Sequence, residues 1–268
     1  MKKIGFFTNI DKDVDMATTR ELINYVSDLG CKAIEFRGTT VTDVDVLVVL
    51  GGDGTMLRAA SYTAIHNIPL LGINLGNVGY LTDVEKAQAK NAIKKMLAGD
   101  YKMQERMMLT VNVEGHQNFA LNDIVVHRGA GARMIECAVE VDGEHMDTFR
   151  ADGLIIATPT GSTAYNLAAG GPVLKPDAQM VIITPICPQA PIARPAVVSV
   201  SRSIEVHVLH SPQATISFDG VNMNMDEVAQ VAYDGFSITV RPNDYCTRII
   251  KTNSLGFYEI LRMKMKKV

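Results

Sequence analysis

The spacing of apolar residues changes near residue 102, and the change divides the chain into two kinds of structure. Before it, short apolar runs alternate with stretches of helical period. Ile4–Thr8 reads as a strand, and a helix from about Met16 to Leu29 has a start signal at Asp15 and a stop at Gly30. A strand at Ala33–Phe36 follows. Val46 to Leu50 is uniformly apolar and mostly β-branched, the pattern of a strand buried on both faces. A helix is marked by Met56, Leu57, Ala60 and Ile65, a strand by Leu70–Ile73, and a helix by about Glu85 to Leu97 with Gly99 as its stop. This order predicts an α/β domain, a Rossmann-like parallel sheet with flanking helices, over residues 1–102.

Beyond that point the runs are short and β-rich: Met107–Val113, Phe119–His127, Met134–Val141, His145–Ala151, Leu154–Ala157, Met180–Thr184, Ile204–Leu209, Ala214–Phe218 and Phe236–Val240. Asp142-Gly143 and Asp219-Gly220 are hairpin signals. An all-β domain over 103–247 is expected. The last segment, 248–268, regains a helical pattern from about Ser254 to Lys267 and is expected to return to the first domain, with Lys264, Lys266 and Lys267 at a solvated helix end.

Chemistry concentrates where the buried strand Val46–Leu50 runs into Gly51-Gly52-Asp53-Gly54-Thr55. Glycines permit close backbone approach, Thr55 can cap the following helix, and a helix N-terminus with free amides favours phosphate. A tight strand-to-helix turn would explain the glycines alone. Asp53 has no such explanation: a carboxylate beside a phosphate site repels the ligand unless it holds Mg²⁺ or accepts a proton. The chain contains no Gly-x-x-x-x-Gly-Lys-Ser/Thr, and Gly52-Asp53-Gly54 lacks the third glycine of the dinucleotide fingerprint.

Three further segments carry unusual polarity. Gly72 to Leu81 is a second glycine-rich turn at a strand end, with Asn74 and Asn77 able to bond phosphate or ribose; its glycines could equally serve left-handed turns. Asn122-Asp123 interrupts a β-run, as either a bulge or a hydroxyl-binding edge. Arg150-Ala151-Asp152-Gly153 precedes an apolar strand that leads into Thr158–Asn166 and Gly170-Gly171-Pro172, where small residues and hydroxyls would let a flat ring or sugar reach the backbone. A capped short helix accounts for part of that segment but not for Asp152 or Tyr165.

Composition narrows the partners. With 268 residues, 47% apolar and 21% charged, the chain matches a soluble globular protein of two modest domains, and a net charge of −3 gives no reason to expect nucleic acid or a membrane surface. Cys31, Cys137, Cys187 and Cys246 are far apart and the histidines lack metal-ligand spacing, so no protein-built metal site is expected and a reducing, cytoplasmic compartment is.

Taken in order, Gly51-Gly52-Asp53-Gly54-Thr55, the Gly72–Leu81 loop, Asn122-Asp123, Asp152-Gly153, Thr158–Asn166 with Gly170-Gly171-Pro172, and Pro185-Ile186-Cys187-Pro188 resemble the bacterial NAD kinase family. The resemblance implies ATP-dependent phosphorylation of the adenosine ribose 2′-hydroxyl of NAD, a divalent metal such as Mg²⁺, and a homodimer or homotetramer. It assigns Asp53 as general base and the amides of Gly51, Gly52 and Gly54 with the Gly72–Gly79 loop, Asn74 included, to phosphate handling; Thr55 belongs to the cofactor site, and Arg58 either reaches a phosphate or lies on a solvated helix face. Asn122, Asp123, Thr160, Thr163, Ala164 and Tyr165 fall to the adenosine part of the site and Asp152 to its nicotinamide half, while Arg150, Asn166, Ala168 and Cys187 are further cofactor-binding residues. The chain departs from the family pattern at Gln189-Ala190-Pro191-Ile192-Ala193-Arg194-Pro195, which replaces a more usual His-Ser-Leu-Ser-x-Arg-Pro. Competing readings are a related kinase acting on a lipid or sugar hydroxyl and a non-catalytic NAD-binding sensor. A catalytic base predicts that Asp53→Asn loses activity while fold and NAD binding stay nearly intact.

Overall fold

A computed structural model describes residues 2–36, 43–76, 79–130, 133–199, 203–209, 213–223, 235–253 and 255–265. The chain divides into one compact unit formed by Met1–Arg106 with Tyr245–Val268, and a second formed by Met107–Asp244.

The first unit is built from β1 (Lys3–Thr8), α1 (Ala17–Asp28), β2 (Lys32–Phe36), β3 (Val46–Gly51), α2 (Asp53–Thr63), β4 (Leu70–Asn74), the short β5 (Val84–Glu85) and α3 (Ala89–Ala98), the last entered through a 3₁₀ turn at Lys86–Gln88. The strands are parallel in the order β2-β1-β3-β4, with Lys3 opposite Lys32, Ile4 opposite Val46 and Leu47 opposite Leu70. Every residue of β3 is buried, as its uniform apolar run requires of a central strand covered on both faces. Leu22 and Val26 from α1 and Ile93 from α3 share one core with Ile4, Phe6, Val48, Leu50 and Ile73. Each such aliphatic side chain is worth about 1.5–3 kcal/mol over leaving it in water. Helix α2 packs on β3 and β4.

The start of α1 differs from expectation. The N-cap position is Met16, in left-handed conformation, and the first-turn donors are met by Asp13, whose carboxylate accepts the amides of Thr18 (3.1 Å) and Thr19 (2.9 Å) and the Thr19 hydroxyl (2.8 Å), while Asp15 plays no such part. Burial works against the charge on Asp13, but these donors outweigh it and hold the carboxyl below its ordinary value. Left-handed Gly30 follows the helix and Gly99 ends α3, as the sequence indicates.

The second unit contains β6 (Lys102–Val113, whose first residues lie in the first unit), β7 (His116–Ala120), β8 (Asp123–His127), β9 (Ile135–Val141), β10 (Glu144–Ala151), β11 (Gly153–Ala157), α4 (Tyr165–Ala168), β12 (Met180–Ile186), β13 (Ala196–Ser199), β14 (Ile204–Leu209), β15 (Thr215–Phe218), β16 (Val221–Asn222) and most of the long β17 (Gly235–Lys251), whose residues from Tyr245 on lie in the first unit. One antiparallel layer runs β10-β9-β14-β17, and another runs β13-β12-β11-β8-β15-β16. Leu109, Val126, Val139, Ile156, Ile183, Val206 and Ile238, from both layers, form a shared core. Asp142-Gly143 and Asp219-Gly220 close the β9–β10 and β15–β16 hairpins with positive φ at both turn residues.

Two β-runs differ from the sequence reading. Phe119–His127 is two strands, broken at Leu121-Asn122. The run at Phe236–Val240 continues through Arg241-Pro242 into Lys251, and Ile249 then pairs in parallel with Leu70 of β4 in the first unit's sheet. Helix α5 (Phe257–Met265) belongs to the first unit. Lys264 is not simply solvated, because its ammonium lies 5.6 Å from the Tyr80 ring centroid; Lys266 and Lys267 fall outside the described residues.

Candidate active site

The buried strand β3 delivers the chain to Gly52, which caps α2 in extended conformation, and Asp53 is the first helical residue. Thr55 is therefore the third helical residue rather than the cap. Its hydroxyl accepts the Gly52 amide at 3.4 Å and lies 3.4 Å from the Asn9 side-chain amide. A Cβ at Gly51 would stand 2.2 Å from that hydroxyl, so close approach excludes a side chain there.

At this helix N-terminus the Asp53 carboxylate is favoured by the helix dipole. The segment after β4 wraps it in donors. Oδ1 accepts the amides of Leu81 (3.0 Å) and Thr82 (3.1 Å) and the Thr82 hydroxyl (3.0 Å), and Oδ2 accepts the Tyr80 amide (2.8 Å). A Cβ at Gly79 would lie 1.9 Å from Oδ1. Three donors crowd Oδ1, whereas Oδ2 takes one and keeps acceptor capacity for a hydroxyl proton or a cation.

The wrapping segment is itself anchored. Asn74, 2% exposed, accepts the Gly76 amide at 2.7 Å and directs its side-chain amide to the carbonyl (3.3 Å) and hydroxyl (3.4 Å) of Thr82. It shapes the loop from within. The Lys251 ammonium, at the buried end of β17, bonds the Leu81 carbonyl at 3.1 Å and pairs with Asp83 at 3.1 Å. Burial pulls Lys251 below its ordinary pKa, against the pull of Asp83. Arg58 is exposed on α2, with its guanidinium 5.9 Å from the Phe7 ring centroid. Asn77 falls outside the described residues.

In the second unit, Asp219 organises the break between β7 and β8. Its carboxylate accepts the amides of Leu121 (2.9 Å), Asn122 (2.6 Å) and Asp123 (3.2 Å). Burial raises Asp219 despite these donors, and burial with the Asp219 charge raises Asp123 to about 7. The Thr158 hydroxyl bonds the Leu121 carbonyl (2.6 Å) and its amide bonds the Asn122 carbonyl (2.8 Å). A Cβ at Gly161 would come within 2.1 Å of that same Asn122 oxygen. The structure thus brings Asn122 and Asp123 together with the Thr158–Tyr165 segment.

Within that segment the roles divide. Thr160 is 6% exposed, and its hydroxyl has no hydrogen-bond partner among the described residues, a donor available to a bound ligand. The Thr163 hydroxyl turns back to the Thr160 carbonyl at 3.3 Å, and Ala164 is half-buried. Tyr165 and Ala168 are exposed. Asn166 is fully buried: its amide bonds the carbonyls of Ser162 and Pro172, both at 3.0 Å, and its carbonyl accepts the Thr184 hydroxyl at 2.7 Å. It holds the segment in shape. Asp152 forms an ion pair with Arg128 at 2.9 Å. Arg150 lines a cavity of about 470 Å³ together with Phe149, Pro188, Gln189 and Ile192, and exposed Cys187 adopts a left-handed conformation beside it in the chain.

The ATP-NAD kinase N-terminal domain matches residues 33–101 and the ATP-NAD kinase C-terminal domain residues 121–234. A curated NAD kinase of Heliobacterium modesticaldum is 41% identical over 287 residues, covering 99% of both chains. That of Moorella thermoacetica is 39% identical over 99% of this chain and 90% of its own. The chain belongs to the NAD kinase family. Among solved structures, the Archaeoglobus fulgidus NAD kinase in complex with ATP superposes with a TM-score of 0.82 at 27% identity, over 99% of both chains. Yeast NADH kinase complexed with NADH shares the fold at the same TM-score of 0.82 and 22% identity, over 98% of this chain and 86% of its own.

Family motifs in the sequence mark Asp53 and the segments around Asn122 and Thr158. They mark the Gly72–Leu81 loop without showing that Gly79 faces Asp53, and they do not mark Asp219, Asp83 or Lys251 at all. Asp219 carries a hairpin signal that hides a second use of its carboxylate, and Lys251 lies outside every β-run read from the sequence yet is buried at the end of β17.

Proposed function

We propose that the chain is an NAD kinase that transfers the γ-phosphate of ATP to the 2′-hydroxyl of the adenosine ribose of NAD, giving NADP. The observation that carries the reading is the Asp53 carboxylate, fixed at the N-terminus of α2 by four donors with Oδ2 left able to accept. Asp53 takes the proton of the attacking hydroxyl, worth about 10²–10⁴ in rate, while alignment and charge neutralisation carry the rest. Asn122, Asp123, Thr160, Thr163, Ala164 and Tyr165 serve the adenosine portion, Asp152 faces the nicotinamide half, and Arg150, Asn166, Ala168 and Cys187 complete the cofactor site.

A divalent cation fits the residues present. Mg²⁺ takes few protein ligands and many from phosphates and water, and Asp53 Oδ2, with spare acceptor capacity, would supply one such ligand. When bound it would neutralise charge on the donor phosphates. The enzyme is further proposed to work as a homodimer or homotetramer in the cytoplasm, without nucleic-acid or membrane partners. Among the described residues no helix is long and apolar enough to cross a membrane. A lipid or sugar kinase is not favoured, because the whole-length relatives are NAD kinases. A sensor would have little use for a carboxylate at a phosphate site.

The test is NADP formation from NAD, ATP and Mg²⁺, read by an NADP-specific dehydrogenase. Absence of NADP with active, folded protein would overturn the reading.

A further inference from the structure

We propose that Lys12, in the loop after β1, is a cation for the phosphate chain of the donor nucleotide, deepening the kinase reading on which it rests. Its ammonium lies over the glycine bend: a Cβ built on Gly52 would stand 3.1 Å from Nζ, and one built on Gly76 would stand 3.8 Å away. Lys12 therefore reaches the place where the backbone at the entrance to α2 and the turn after β4 both lack side chains. That is where a polyphosphate can come close to amides.

The position is built by the loop. The Asn9 amide bonds the Leu50 carbonyl at 2.8 Å, tying the loop to the end of β3, and the Asn9 side chain reaches the Thr55 hydroxyl at 3.4 Å. The Asn9 carbonyl in turn accepts the amides of Lys12 and Asp13, both at 3.1 Å, a tight turn that lifts Lys12 toward the bend. Asp13 is committed to the first turn of α1. Although Asp11 and Asp15 flank it in sequence, no ion pair or hydrogen bond to the Lys12 ammonium occurs among the described residues.

The Lys12 side chain is exposed, and a compact ammonium without a carboxylate partner, lying beside glycine amides and a helix N-terminus, favours a phosphate oxygen over water. It also answers the electrostatic difficulty posed by Asp53. A polyanion approaching a carboxylate needs positive charge at hand, and Arg58 is drawn toward the Phe7 ring.

The experiment compares Lys12→Met and Lys12→Arg with wild type in steady-state kinetics, varying ATP and NAD separately. Lys12→Met is expected to lower kcat/KM for ATP on the order of 10–100-fold, the worth of a charged hydrogen bond. The KM for NAD should stay within about twofold, and Lys12→Arg should recover much of the loss. The wild-type dependence of the ATP KM on salt should be weaker in Lys12→Met, a change that a structural role would not produce. ATP kinetics at the wild-type level, or equal losses toward both substrates, would overturn the proposal. Should wild type form no NADP, the kinase reading fails instead, and calorimetric titration of ATP with Mg²⁺ into wild type and Lys12→Met still decides whether Lys12 binds phosphate.

Discussion

Replacing Asp53 by asparagine removes one charge and one acceptor, both of which the proposed phosphoryl transfer uses. The Oδ1 position can keep an oxygen facing the amides of Leu81 and Thr82 and the Thr82 hydroxyl. The other position then becomes an NH₂ facing the Tyr80 amide, donor against donor across 2.8 Å. A hydrogen bond to a charged group contributes about 1.5–3 kcal/mol, and a carboxylate at a helix N-terminus about 0.3–1 kcal/mol. Asp53→Asn should therefore destabilise the protein by roughly 2–4 kcal/mol, a fall in Tm of at least about 4 °C. This departs from the sequence-based expectation that the fold would be nearly untouched, because the four donors are invisible in the sequence. Loss of the base should also lower kcat by about 10²–10⁴. The assay pairs differential scanning fluorimetry with NADP formation measured well below the lowered Tm, so that unfolding cannot account for lost rate. Wild-type turnover would refute the base, and an unchanged Tm would refute the hydrogen-bond account.

Gly79→Ala places a Cβ 1.9 Å from Asp53 Oδ1, so the loop must move off the carboxylate; a loss of at least about tenfold in kcat is expected, and unchanged turnover would show that the loop does not fix Asp53. A pH effect follows from Asp123, raised to about 7 by burial and then by Asp219. Between an unfolded pKa of about 3.9 and that value the folded protein binds more protons than the unfolded chain, so stability falls as pH rises, by at most about 1.4 kcal/mol per pH unit, and levels off above. Asp123→Asn should flatten this slope in denaturant titrations, with a residue of it left by Asp219, whose shift has the same sign; parallel curves for wild type and variant would refute the assignment.

Much of the fold is legible in sequence because burial writes itself into apolar spacing. Val46 to Leu50 must be central since a half-exposed strand would alternate, and it is wholly buried. What escapes the pattern is whatever depends on a distant partner. Arg241-Pro242 looks like the end of a strand, yet β17 continues because Ile249 finds Leu70 as its neighbour. Asp15 has the right spacing to start α1, but Asp13 reaches the amides and the Thr19 hydroxyl. The family motifs are legible in sequence, and the contacts that hold their segments are not. Asn122 and Asp123 can be found by their polarity, whereas the Asp219 carboxylate that shapes them lies far along the chain.

Glycine gives the sharpest instance of that limit. A glycine-rich segment in sequence invites a reading as left-handed turns, and Gly30, Gly99, Gly143 and Gly220 do have positive φ. Gly51, Gly79, Gly161 and Gly171 do not, and each faces a polar group that a Cβ would strike: the Thr55 hydroxyl, the Asp53 carboxylate, the Asn122 carbonyl and the Asn166 side-chain carbonyl. The first group shapes turns between elements. The second allows the chain to close on polar atoms of the proposed site, and alanine there would displace those atoms rather than strain its own backbone. The two groups look alike in the sequence because glycine meets both demands for one reason, the missing Cβ. Only the neighbour of that missing atom tells a structural glycine from one that fits the backbone around a functional group.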